Sequence, residues 1–388
     1  MQSILYFYAL IVGLFNPEIK GVHFNLIYLI IVFLLLVIKK CVYLIIGSNR
    51  NKIINIKEYM IFLLYFLLLF ITILFNVDRI KNIDKLLIII LPFLFYFILE
   101  NTITNKEILN KFIYTLALGA ILSSIYGIYQ YLSRSSGYLM VSNNNIINRA
   151  IAAFPTPNLF SDYLIVFIPF TMYLYKKRNN LLYLFFLLLQ LISLIFTFSR
   201  GAVIAIIAGY VLINFITNYY IFYKTFLRNI IILFIITLIL IVVYKSYFVN
   251  GHISSTLIRL KNLNNSIEVF LNSPYVGIGI GNLDKISILD NSYLTTLVQT
   301  GIIGLMGLII LLSYIYINIF NIWRLNKSDI LNKTILLSLT IFLIHMIFEN
   351  TFYSTITNWI IGIYLFYIKF VKKVQIKEKI KNSYSSYS

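Results

Sequence analysis

Charged side chains are scarce in this sequence. They make up 12% of the 388 residues, whereas hydrophobic residues make up 60%. Soluble domains carry roughly 25% charged residues, so this composition, with a mean hydropathy of +0.89, excludes an ordinary soluble fold. The long runs of Ile, Leu, Phe and Val match the length of about 20 apolar residues that a bilayer-spanning helix needs. The sequence therefore predicts an all-α polytopic integral membrane protein.

Cysteine and histidine are nearly absent. Cys41 is the single cysteine, which excludes an intrachain disulfide and a cysteine metal cluster. The histidines at positions 23, 252 and 345 have no ligand spacing. We therefore expect no metal and no other cofactor.

Acidic residues are also few: 13 Asp and Glu stand against 32 Lys and Arg. In a soluble protein such an excess of positive charge would suggest nucleic acid as a partner. Here the lysines flank hydrophobic runs, as membrane topology requires. We therefore expect membrane lipid head groups, and not nucleic acid, as the partner of these charges.

The apolar runs predict about twelve transmembrane helices in one domain over residues 1–371. A tail at 372–388, rich in Lys, Ser and Tyr, is predicted to be disordered. The predicted spans are 4–15, 22–38, 58–76, 85–99, 112–132, 158–175, 181–198, 201–218, 229–247, 292–318, 334–348 and 353–371.

The distribution of Lys and Arg between alternate loops predicts the orientation. One set of loops and ends holds 21 of the 32 basic residues, and the other holds 11. Since the richer side is cytoplasmic, both termini are predicted to be cytoplasmic, in an inner (plasma) membrane. Two long loops are then external, at residues 133–157 and, between spans nine and ten, at residues 248–291. Long loops of this kind more often carry function than merely connect spans.

Three arginines lie on this predicted external side, where charge is otherwise rare: Arg149, Arg200 and Arg259. A guanidinium binds phosphate oxygens in a bidentate manner and keeps its charge when partly buried. An alternative is that each side chain merely extends to lipid head groups. Arg200 is less easily explained in that way, because it separates two apolar runs with almost no loop between them.

Two other external segments have unusual composition. Between Arg149 and Asn158, two prolines precede a span, which indicates a helix start, with a binding role for Asn158 as the alternative. Glycine occupies every second position from Gly277 to Gly281. This pattern predicts a tight turn or a close backbone approach to a ligand.

Ionisable residues also flank the tenth and eleventh spans. Asp290 stands directly before the tenth span, where it could either cap the helix or act as a general base. Asn291 and Tyr293 follow it. His345 and Glu349 are four residues apart, which predicts one shared helix face and either a functional or a structural pair.

Taken in order, these elements resemble the family of O-antigen ligases and O-antigen polymerases, bacterial membrane glycosyltransferases, over roughly residues 145–360. The resemblance rests on six elements. They are the Arg149–Asn158 stretch, Ser199-Arg200-Gly201, Arg259, the Pro274–Asn282 stretch, Asp290-Asn291-Ser292-Tyr293-Leu294 with Gly301, and His345 with Glu349.

The resemblance implies metal-independent transfer of a glycan from a polyprenyl-diphosphate carrier to an acceptor glycan. Arg149, Arg200 and Arg259 would hold the diphosphate, and Asp290 would be catalytic. The further candidate site residues are Asn158, Asn291, Tyr293, His345 and Glu349. Other polysaccharide-assembly membrane proteins are expected partners.

The resemblance also bears on the subfamily. Ligases of the family carry a histidine where Asp290 stands, whereas many polymerases carry an aspartate, so we expect a polymerase of O-antigen or capsule repeat units. A ligase acting on a lipid or protein acceptor is the first alternative. A flippase or transporter of lipid-linked glycans is the second, although no repeat symmetry supports it. A purely structural membrane protein is the third.

Overall fold

A computed structural model describes residues 2–11, 18–19, 22–23, 30–34, 56–75, 83–142, 145–217, 251–282, 290–354 and 358–385. Helices dominate these residues. In chain order they are α1 (Gln2–Ile11), α2 (Ile56–Leu74), α3 (Ile83–Thr102), α4 (Lys106–Ser133), α5 (Pro157–Arg178), α6 (Leu181–Phe196), α7 (Arg200–Thr217), α8 (Gly251–Asn272), α9 (Ser292–Leu325), α10 (Ile330–His345) and α11 (Ile360–Ser385).

Two short antiparallel ladders accompany the helices. Strand β1 (Glu18–Ile19) pairs with β2 (Val22–His23), and β3 (Leu139–Ser142) pairs with β4 (Asn145–Asn148). The second ladder lies within the predicted external loop at residues 133–157. It ends directly before Arg149, and it thereby positions Arg149 at the end of the helix bundle where α5 begins.

Helix α5 is the central helix of the bundle. Every residue from 161 to 171 is buried, and the helix packs against α4, α6, α7 and α10. Its first turn is prepared by Pro157 and by the Thr156 side chain, which accepts a hydrogen bond from the Leu159 amide. Because protein surrounds α5, it can carry polar residues such as Asp162 that a lipid-facing helix would not tolerate.

The outer helices present apolar side chains on the surface. Within the described residues, α4, α7 and α9 are long and apolar enough to cross a membrane, and parts of α2, α3, α6 and α10 are shorter apolar helices. Leu63 on α2, Phe185 on α6 and Met306 on α9 are all more than half exposed. An exposed apolar surface of this kind suits contact with lipid. The predicted class, a helical membrane protein, is therefore confirmed.

Most predicted spans in the described residues coincide with a helix, with one exception. The prediction for residues 22–38 was wrong at its start, because Val22 and His23 pair with β1. The β-branched residues Ile19 and Val22 favour this extended pairing. The predicted span at residues 229–247 lies outside the described residues.

Two segments predicted to lack secondary structure contain helix. The predicted loop at 248–291 includes α8, which has a mixed polar composition that a search for apolar runs misses. Its Val269 and Phe270 side chains pack against Val298 of α9. The tail at 372–388 was predicted to be disordered, whereas α11 continues to Ser385. Lys, Gln and Glu are good helix formers, so a high charge density did not end the helix.

Helix α9 is interrupted at Gly301, whose φ of 64° and ψ of −167° are not helical. The glycine-rich segment after α8 lies against this break. Its residues pair with the backbone groups that the break frees: Ile278 and Gly279 amides donate to the Val298 and Gln299 carbonyls (3.0 Å each), and Ile302 and Ile303 amides donate to the Pro274 and Tyr275 carbonyls (2.9 and 3.2 Å). An interrupted membrane helix needs such partners. The glycine backbone therefore approaches α9 closely, whereas the predicted approach to a ligand stays a prediction.

Candidate functional site

Polar side chains from five separate segments meet at the end of the bundle where α5 and α9 begin. They form one network that runs through Arg149, Asn158, Glu349, Arg259 and Asp290. The Arg149 Nη2 atom donates to Asn158 Oδ1 (3.1 Å), and Asn158 Nδ2 donates to Glu349 Oε1 (2.8 Å). The same Glu349 oxygen accepts from Arg259 Nη2 (3.1 Å), while Arg259 Nε lies 2.9 Å from Asp290 Oδ2. We refer to these five residues as the charged network.

Backbone elements fix the first half of the charged network. Asn158 is the second residue of α5, so the start of the central helix sets its position. Arg149 follows β4, and its Nε atom donates to the Thr197 carbonyl (2.8 Å) in the turn between α6 and α7. The sequence interpretation of residues 149–158 as a helix start is correct, and Asn158 is at the same time part of the network.

Glu349 lies in the turn after α10. The prediction that it shares a helix face with His345 is wrong, because α10 ends at His345. The Glu349 carboxylate instead pairs with groups on α5 and α8. Its backbone is held from the other side by Ser292, whose Oγ atom donates to the Glu349 carbonyl (3.0 Å). Glu349 is thus fixed between the start of α5 and the start of α9.

Asp290 does not cap α9, so the capping alternative is wrong. The cap is Asn291, whose Oδ1 atom accepts from the Leu294 amide at 2.9 Å. With the cap supplied by its neighbour, the Asp290 carboxylate is available to Arg259. The Asp290 carboxylate and the Arg259 guanidinium form an ion pair.

Accessibility differs within the charged network. The side chains of Arg259 and Asp290 are 40% and 30% exposed, whereas that of Glu349 is 11% exposed. A ligand can therefore reach the guanidinium and the Asp290 carboxylate, while Glu349 supports the guanidinium from within.

Burial and charge shift the pKa values of both carboxyl groups. Burial raises the pKa of Asp290 above its usual value, and the neighbouring Arg259 guanidinium opposes this shift. Burial, with the charge of Asp290, raises the pKa of Glu349, and hydrogen bonds from Arg259 and Asn158 oppose it. Both carboxyl groups are therefore better proton acceptors than an exposed carboxylate.

Arg200 begins α7, next to this network. A Cβ atom at Gly201 would lie 2.6 Å from Phe348 Cβ, so the start of α7 lies against the turn that carries Glu349. Tyr293 lies in the first turn of α9, and its hydroxyl donates to the Leu343 carbonyl (3.1 Å). The structure thus brings Arg200 and Tyr293 close to the charged network.

His345 lies deeper and pairs with a residue that sequence reasoning missed. His345 and Asp162 are both buried, and their Nδ1 and Oδ1 atoms lie 3.2 Å apart, within ion-pair distance but outside hydrogen-bond geometry. The sequence did contain a signal for Asp162, because this residue is an acidic one inside the apolar run of the predicted span at residues 158–175. No group of three His, Cys, Asp or Glu side chains in the described residues could hold a metal ion.

The fold and the charged network together describe a helical membrane protein with a polar site at one end of its bundle. Residues 184–309 match the O-antigen ligase family model. The chain thus carries a domain of the O-antigen ligase family, and the resemblance inferred from its motifs is confirmed. A search of curated proteins finds no match to the chain.

The family match covers part of the site. Arg200, Arg259 and Asp290 lie inside the matched residues, whereas Asn158 and Glu349 lie outside them. The match supports an O-antigen ligase-related function for this membrane protein. The roles of the individual site residues remain predictions.

Proposed function

We propose that the protein polymerises polyprenyl-diphosphate-linked oligosaccharide repeat units into a surface polysaccharide, O-antigen or capsule, on the outer face of the inner membrane. The observation that carries this proposal is the contact between Arg259 and Asp290. It puts a cation suited to a diphosphate and a carboxylate suited to a hydroxyl proton next to each other in an accessible position.

The proposed reaction is a single displacement at the anomeric carbon of the donor glycan. The acceptor hydroxyl oxygen forms the new bond to this carbon, and the bond from the carbon to the diphosphate oxygen breaks. The hydroxyl proton passes to Asp290, and polyprenyl diphosphate leaves with the bonding electrons. Arg259, with Arg149 and Arg200 nearby, stabilises the negative charge that develops on the leaving group.

The ion pairs of Arg259 suggest how binding of the donor glycan is coupled to removal of the proton from the acceptor hydroxyl. Without a donor, the guanidinium is shared between the Asp290 and Glu349 carboxylates. A diphosphate competes for the same N–H groups. In our proposal the donor takes over the Nε side of Arg259, Glu349 keeps its hold on Nη2, and the Asp290 carboxylate is released to accept the acceptor proton.

A ligase is the second candidate, because the matching family model is described as O-antigen ligase. The residue at position 290 favours the polymerase: it is an aspartate, where the resemblance leads us to expect histidine in ligases. The products separate the two activities, since a polymerase lengthens the carrier-linked glycan and a ligase moves it to a different acceptor.

The experiment compares glycan chain length in cells that lack this gene with cells that carry the wild type or Arg259→Lys. We expect single lipid-linked repeat units without the gene and long chains with the wild type. Arg259→Lys keeps the positive charge, but a lysine ammonium does not reproduce the contacts of the guanidinium to both Asp290 and Glu349. Glycan transfer should therefore fall on the order of tenfold, the effect of losing one charged hydrogen bond. Lys261→Arg, two residues along the same helix, is the control. Long chains without the gene would contradict a polymerase.

The orientation is tested separately. The charged network joins segments that the Lys and Arg distribution places on one external side, which supports the predicted topology. We expect reporter fusions at the C-terminus to report the cytoplasm and a fusion near residue 265 to report the outside. A cytoplasmic signal at residue 265 would put the site on the wrong face for glycan polymerisation.

A further inference from the structure

A second polar feature lies at the opposite end of α5. Asn158 and Lys176 are 18 residues apart on this helix, a separation of about 27 Å along its axis. Around Lys176, helices α5, α7 and α10 line an open cleft whose enclosed part is small, ≈ 30 Å³. The residues that line it include Lys176, Tyr210, Asn214, Lys333 and Thr334.

The cleft holds two positive charges and no negative one in its lining. Lys176 comes from the last turn of α5 and Lys333 from the first turn of α10. The Lys333 Nζ atom donates to Asn214 Oδ1 (3.2 Å), and no hydrogen bond or ion pair joins Lys176 to another described residue. Two ammonium groups in one partly enclosed cleft repel each other, and an anion between them would remove that repulsion.

Apolar side chains also line the cleft. Pro169, Ile213 and Leu337 form its inner part, toward the middle of the bundle. The Lys and Arg distribution predicts that this end of the bundle is cytoplasmic, where anionic lipids are concentrated. The cleft therefore combines a cationic mouth at the depth of lipid head groups with an apolar interior.

We propose that this cleft binds the phosphate group of an anionic phospholipid. The phosphodiester oxygens accept hydrogen bonds from Lys176 and Lys333, and the apolar lining contacts the glycerol and the upper acyl chain. The site is separate from the charged network, and the proposal does not depend on the activity assigned to that network.

Thermal unfolding of the purified full-length protein in neutral detergent tests the proposal. Phosphatidylglycerol should raise the unfolding midpoint of the wild type by a few degrees, and phosphatidylcholine should not, since a ligand of the folded state alone stabilises it. The double variant Lys176→Gln with Lys333→Gln should lose this rise. The matched control, Lys372→Gln with Lys373→Gln, removes the same charge from α11 outside the cleft and should keep it.

If phosphatidylglycerol raised the unfolding midpoint equally in the wild type, the double variant and the control, the proposal would be overturned, because the effect would then come from general attraction between the lipid and a basic protein. A second experiment adds inorganic phosphate in place of phosphatidylglycerol. If phosphate raises the unfolding midpoint as much as phosphatidylglycerol does, the assignment of a lipid ligand is overturned. Should the double variant fail to fold, Lys176→Gln alone serves, because the Lys176 side chain makes no hydrogen bond to another described residue. Its unchanged response to phosphatidylglycerol would equally contradict the site.

Discussion

Replacing Asp290 with asparagine is expected to lower glycan transfer by about 10²–10⁴-fold, the usual contribution of a general base, while the amount of protein in the membrane stays normal. The amide oxygen can still accept a hydrogen bond from Arg259, but it cannot take a proton from the acceptor hydroxyl. The measurement is polymer length and transfer rate in membranes that carry Asp290→Asn or Asp290→Ala.

The structure sharpens this experiment, because Asn291 and not Asp290 caps α9. A defect in Asp290→Asn can therefore not be assigned to a lost cap, and Asn291→Asp, which preserves the cap, is the matched control. The pH profile adds an independent test. As the pH falls toward the raised pKa of Asp290, the carboxylate is protonated and wild-type transfer should decline. Near-normal chains from Asp290→Asn would remove Asp290 from the reaction.

Replacing Gly301 with alanine is expected to prevent the protein from accumulating in its folded form. The φ and ψ angles at Gly301 belong to a region that is essentially restricted to glycine, at a cost of about 1–3 kcal/mol for other residues. In addition, a Cβ atom there would lie 2.3 Å from the Tyr275 backbone. The glycine-rich segment would have to move away, which would expose the freed backbone groups of α9 to an apolar environment.

Gly307→Ala is the control for this substitution. Gly307 is on the same helix, and its added Cβ would come no closer than 3.3 Å to Leu68, which a small side-chain shift accommodates. Protein levels in membranes and the unfolding midpoint of purified protein distinguish the two. A Gly301→Ala protein as abundant and as stable as Gly307→Ala would show that the interruption of α9 is not required.

Much of the helical framework could be predicted because lipid-facing helices are recognisable as long apolar runs. The same criterion failed at α8, because charged and amide residues such as Lys261, Asn262 and Glu268 interrupt its apolar residues. It also gave no sign of the interruption in α9, since a glycine such as Gly301 in an apolar run is compatible with a continuous helix. The positions that could not be predicted were those whose backbone groups form hydrogen bonds with backbone groups far away in the sequence.

The candidate site was more predictable than the fold around it. Charged residues are scarce in this chain, so Arg149, Arg259, Asp290 and Glu349 stood out in the sequence. Their partners could not be predicted. That Asn291 caps α9 and releases Asp290, and that Asp162 lies beside His345, depends on how the central helix meets its neighbours.

The order in which the charged network is synthesised has a consequence for the biogenesis of the enzyme. Arg149 and Asn158 leave the ribosome early, whereas Glu349, which joins Asn158 to Arg259, is added nearly two hundred residues later. Until α10 has inserted and its following turn has docked, Arg259 has no inner support. A nascent chain therefore lacks the complete charged network, and the activity that we propose for this network requires the finished bundle.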